Sequence, residues 1–126
     1  MKQFLYISLG GILGANLRYF GMQIFERITI TTNGISVLVI NIFGCFLLGF
    51  ISTFPYEPDH PVKYLWVIGF LGSFTTFSTF IALISVSLGE GKLSSALGFC
   101  FVEPILGMIA FWIGVFLGKR FVIKPV

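Results

Sequence analysis

A chain of 126 residues that is 56% hydrophobic and 10% charged carries more apolar surface than a water-soluble core of that length has room to bury. With a mean hydropathy of +0.99 it reads as an integral membrane protein. The net charge of +3 is spread over short loops and not gathered in a patch, which points to membrane topology and away from nucleic acid. No nucleophile–base pair, phosphate loop or metal-ligand cluster stands in the sequence, so an enzyme is excluded.

A spanning helix takes roughly 20 predominantly apolar residues. Four such stretches, at about 3–25, 34–54, 64–88 and 94–118, use nearly the whole chain. The expectation is a single four-helix transmembrane domain over residues 1–126, with any function inside the bundle or between copies of it. The first stretch follows Lys2 as a signal peptide would. It is too long for a signal's apolar region, contains Arg18 and lacks an A-x-A cleavage pattern, so it reads as a retained helix. Gly10 and Gly14 in it form a G-x-x-x-G pair. Thr31-Thr32-Asn33-Gly34 closes this helix, and Asn33 is placed to cap the next.

In the second stretch Asn41 lies among Val39, Ile40, Ile42 and Phe43; its amide must find a partner across helices or line a wet path. Cys45 there, and Cys100 in the fourth stretch, have no metal-ligand spacing with another Cys or His and read as small apolar core thiols. Pro55-Tyr56-Glu57-Pro58-Asp59-His60-Pro61 forms the following loop.

The third stretch contains GFLGSFTTFSTF at residues 69–80. Two glycines and five hydroxyl side chains at membrane depth are tolerated only where the backbone is buried in protein or lines a polar cavity. The segment is expected to be a helix broken midway, at a permeation or binding site. Phe77 and Phe80 fall on one face by the i,i+3 rule, with Ser78 and Thr79 turned partly away. Ring edges carry the positive part of the aromatic quadrupole, so two of them would hold an anion without a full charge to trap it. The same pair, two of sixteen phenylalanines, would equally serve as packing.

After Gly89-Glu90-Gly91-Lys92, Ser94 is placed to cap the fourth helix. Glu103 stands next to Pro104, which frees the carbonyl of Cys100. Gly114 and Gly118 repeat the G-x-x-x-G spacing; each such pair is either a dimer seam or a contact within one subunit. Arg18 and Glu103 are ionisable groups inside spans, hence functional candidates, Arg18 either at an anion vestibule or snorkelling to the interface. Lys2, Lys63, Lys119, Arg120 and Lys124 lie on the side of the termini, against Arg27 and Lys92 on the other, which predicts cytoplasmic termini. Four helices leave little room for an internal aqueous path, so a pathway is expected to need a second subunit.

The T-T-F-S-T-F core of residues 75–80, with its upstream glycines, resembles the signature of the Fluc (CrcB-like) fluoride channels, small four-helix proteins with a break in the third helix. Gly10-Gly11-x-x-Gly14-Ala15-x-x-Arg18-Tyr19 and Val39-Ile40-Asn41-x-x-Gly44 match that family in order and spacing. The resemblance implies an all-α membrane protein working as an antiparallel dual-topology dimer in the cytoplasmic (plasma) membrane. It would export fluoride passively, confer fluoride resistance and have two pores built from both subunits. Phe77 and Phe80 then resemble the ring-edge fluoride ligands, Asn41 a pore hydrogen-bond donor, Ser78 and Thr79 polar liners, and Arg18 the vestibule arginine. The carbonyls of Gly72 and Thr75 resemble those that hold a structural Na+ on the dimer axis.

The chain departs from the family pattern at several positions. Leu83 stands where a glutamate is usual, Val37 where a threonine is, and Phe99, Glu103 and Gly107 where a tyrosine and serines are. An ionised Glu103 on that track would repel an anion, and a protonated one would donate a hydrogen bond. These departures, with the bias in Lys and Arg, leave room for one subunit of a heterodimer whose second half is a paired paralogue and one of whose pores has degraded. A proton-coupled exporter like the small multidrug transporters is the rival reading, although those use a glutamate in the first helix and here that helix holds Arg18. A non-transporting assembly subunit is the third.

Overall fold

The computed structural model describes residues 2–28, 34–57 and 59–122. Among these, all regular structure is helical: α1 (Lys2–Ile28), α2 (Ile35–Ile51), α3 (a π-helical segment Lys63–Leu71 running on into the α-helical turn Gly72–Phe74), α4 (Phe77–Gly89) and α5 (Leu93–Val122). The described residues thus make four helical stretches, of which α3 and α4 are the two halves of the third. The stretch Lys63–Gly89 and α5 are each long and apolar enough to cross a membrane. The apolar α2 has 17 residues, and α1 carries Asn16, Arg18 and Gln23 along its length.

Local chemistry sets most of the helix ends. Gly34, at φ 74°, turns the chain into α2 with a left-handed conformation that glycine adopts without a steric cost. The expected cap Asn33 lies outside the described residues. At the other junction α5 begins at Leu93, so Ser94 stands inside the first turn and does not cap it. The Ala96 amide already bonds the carbonyl of Lys92, which takes the capping position instead. Pro104 sits within α5, which continues through it.

Helices in lipid approach closely only where side chains are small. A Cβ on Gly10 would collide with the carbonyl of Leu65, and one on Gly14 with the carbonyl of Phe70, so α1 lies directly against the α3 backbone. On the opposite side Gly114 meets the carbonyl of Phe46, Gly118 the Thr53 side chain and Phe50 carbonyl, and Gly49 the carbonyl of Phe111, which presses α5 onto α2. Both G-x-x-x-G pairs therefore close contacts within one subunit. Between these seams Ile40, Phe70, Leu71 and Phe74 form a buried cluster, with Met22, Leu47 and Ile51 against it. Gly69, Phe70 and Leu71 are buried in succession within the π segment, with α1 backbone directly against Gly69 and Phe70. The outer faces are apolar: Phe4, Leu13, Trp112 and Phe116 are each at least half exposed, as suits side chains that meet hydrocarbon.

Candidate functional site

Between α3 and α4 the backbone leaves the helix for two residues. Thr75 (φ −83°, ψ 153°) and Thr76 (φ −147°, ψ 111°) are extended. The Thr75 amide still reaches back to the Leu71 carbonyl at 3.1 Å, and its hydroxyl donates to the same oxygen at 2.9 Å. Thr76 has no such partner in its own helix. Its amide donates to Asn41 Oδ1 at 2.9 Å, and Asn41 Nδ2 donates back to the Thr76 carbonyl at 3.2 Å. A side-chain amide from α2 thus pairs with both backbone groups of one residue in the break, as facing residues of antiparallel strands do. The Thr76 N–H can only donate, which fixes which end of the Asn41 amide is oxygen.

Thr76 then starts α4. Its Oγ1 accepts the Thr79 amide at 3.2 Å, an N-cap bond of the kind that stabilises a helix start. The same hydroxyl lies 3.1 Å from the hydroxyls of Ser78 and of Thr79. These bonds divert two amides. In a continuous helix the Thr76 N–H would bond the Gly72 carbonyl and the Thr79 N–H the Thr75 carbonyl; here they go to Asn41 and to the Thr76 hydroxyl. The carbonyls of Gly72 and Thr75 are released from helical pairing, and both residues border the cavity described next.

That cavity, of about 730 Å³, lies beside the break, and Asn41, Thr76, Phe77, Phe80 and Glu103 are among its walls. The Phe77 and Phe80 rings sit 5.7 Å apart, centroid to centroid, tilted by 41°. Phe80 is buried, while Phe77 is 74% exposed at the cavity's edge. Glu103 is buried too, and its Oε1 accepts a hydrogen bond from Asn41 Nδ2. Its Oε2 has no hydrogen-bond partner among the described residues.

Of the residues singled out in the sequence, Asn41, Gly72, Thr75, Phe77, Phe80 and Glu103 meet at this cavity. Ser78 and Thr79 stand just behind it, engaged with Thr76, and Arg18 on α1 takes no part in its walls. Asn41 was expected to offer a donor to the path. Its NH2 group has two hydrogens, and they go to Thr76 and Glu103. Thr76 is the residue that sequence reasoning passed over. Its signal was present, since a threonine directly before an apolar helical run is a preferred N-cap. Of the departures from the family pattern, Val37 is buried in the bundle. Leu83 and Phe99 close around Gly34 and border a second cavity near the Glu90–Lys92 turn.

The family described as "CrcB-like protein, Camphor Resistance (CrcB)" matches residues 5–115. Several curated relatives carry the name "Fluoride-specific ion channel FluC". The protein of that name from Chloroflexus aurantiacus is 37% identical over 125 residues, covering 96% of this chain and 98% of the relative. That of Acidobacterium capsulatum is 34% identical, covering 95% and 98%, and that of Dichelobacter nodosus 35% identical over 121 residues, covering 94% and 98%.

Proposed function

The chain belongs to the CrcB-like family, and from that premise we propose that it is a fluoride channel, passing F− down its gradient through the cytoplasmic membrane and so conferring resistance to the ion. One observation carries the reading: a helix broken at Thr75–Thr76 presents two phenylalanine edges and a buried polar cluster to a single cavity in an otherwise apolar bundle. Fluoride holds its water tightly, and a pore passes it by replacing that water with enough well-placed partners. Phe77 and Phe80 supply ring edges that attract an anion without a formal charge. Ser78 and Thr79 add hydroxyls on the side of the Thr76 cap, and Arg18 supplies positive charge for a vestibule.

The dimer belongs to the same proposal. Phe77 is largely exposed while its neighbour Phe80 is buried, and the cavity lies against apolar outer faces; an antiparallel second copy supplies the missing wall and completes two pores. The carbonyls of Gly72 and Thr75, released from helical pairing, are hard neutral oxygens of the kind a small cation takes, and they fit a structural Na+ shared with the partner. When bound, that ion would tie the two breaks together.

Fluoride efflux from liposomes tests the reading, with the wild-type chain set against Phe80→Ile. Wild type is expected to empty the liposomes and Phe80→Ile to slow efflux by at least about tenfold, the scale of one lost ion contact. Intact flux in the variant would remove the ring-edge role, and wild type that passes no fluoride would remove the channel. The exporter alternative has no support in names that relatives share for an ion channel.

A further inference from the structure

The anion path loses a donor at Asn41 and has an unused carboxyl oxygen beside it. Both hydrogens of the Asn41 amide are committed, one to the Thr76 carbonyl and one to Glu103 Oε1, so Asn41 has none left for an ion. Glu103 is 8% exposed, lines the cavity with Phe77 and Phe80, and has Oε2 unpartnered among the described residues. Among the described residues no lysine, arginine or histidine borders that cavity, and its other titratable wall residue is Cys45. The ion pair among the described residues, Lys92 with Glu90, lies outside it. An ionised carboxylate in such a place would be a buried charge with no counter-ion and an orphaned oxygen, which costs far more than a neutral acid.

We infer that Glu103, as a neutral carboxylic acid, is the hydrogen-bond donor that this chain offers to fluoride at the cavity, an inference that rests on the channel reading above. Oε1 accepts from Asn41 and is thereby held as the carbonyl oxygen, which leaves the proton on Oε2. Oε2–H donates to the passing anion and keeps its proton, so no proton crosses with it. Asn41 is then a positioning residue that fixes both the break and the acid. Glu103 does the work that hydroxyls do elsewhere along such a path, and its side-chain length lets one group reach from α5.

Two measurements on the full chain in liposomes test this. Infrared difference spectra of wild type minus Glu103→Gln at neutral pH are expected to show the carbonyl band of an un-ionised carboxylic acid, and that band is expected to shift with sodium fluoride but not sodium chloride. Glu103→Gln retains an acceptor for Asn41 and a donor for the ion, so its fluoride efflux is expected within about twofold of wild type, whereas Glu103→Ala is expected to fall by about tenfold or more, the scale of one hydrogen bond to an ion. Efflux more than about twofold above wild type in either variant would make Glu103 a charge barrier and overturn the inference. Wild-type efflux in Glu103→Ala, or a carboxylate band in place of the acid band, would overturn it as well. Should Glu103→Ala fail to fold, the glutamine variant and the spectrum decide. A wild-type chain that passes no fluoride would count against the channel itself, and the fluoride-induced band shift would still report on the acid.

Discussion

Asn41 joins three elements: α2 carries it, its amide grips the Thr76 peptide of the break, and it holds Glu103 of α5. Replacing it by alanine strands the buried N–H of Thr76 and one oxygen of Glu103. A stability loss of about 3 kcal/mol is expected, since each orphaned buried group costs about 1–3 kcal/mol; a thermal melt in detergent, monitored by circular dichroism, measures it. Thr76→Val removes the cap and is expected to cost about 1 kcal/mol in the same melt. The sequence shows that an amide set in an apolar run must have a partner. It does not show which, because Thr76 and Glu103 are 35 and 62 positions away and only the packed helices bring them together.

At the scale of elements, the break was legible because composition alone forbids lipid around residues 69–80. The π segment before it was not. Lys63–Leu71 has no composition that marks wide turns. The glycine pairs were legible as close contacts, but their partners were supplied only by the fold. Gly14→Val would drive a branched side chain into the Phe70 carbonyl and is expected to abolish monodisperse protein in size-exclusion chromatography. Gly98→Ala, with nothing within 4 Å of the added carbon, is expected to change the melt by less than about 1 kcal/mol, in the stabilising direction, because alanine favours the helix.

For the whole molecule, the exposed apolar faces and the half-walled cavity set the expectation for assembly. Light scattering of the purified protein in detergent is expected to give twice the 14.0 kDa chain mass; a monomer would remove the two-subunit pore. The bias in Lys and Arg acts on orientation through the lipid surface and so bears on topology from sequence alone, whereas the walls of a pore exist only once the helices pack.

The latch between α2 and the break has a kinetic corollary. An amide in a helix ordinarily exchanges with deuterium when its own turn frays, but the Thr76 amide is shielded by a side chain from a different helix. Its exchange clock therefore times the separation of α2 from the third stretch and not the unravelling of α4. In Asn41→Ala that one proton is expected to exchange orders of magnitude faster while the amides of Leu83–Val86 keep their pace, a contrast that residue-resolved exchange measures directly.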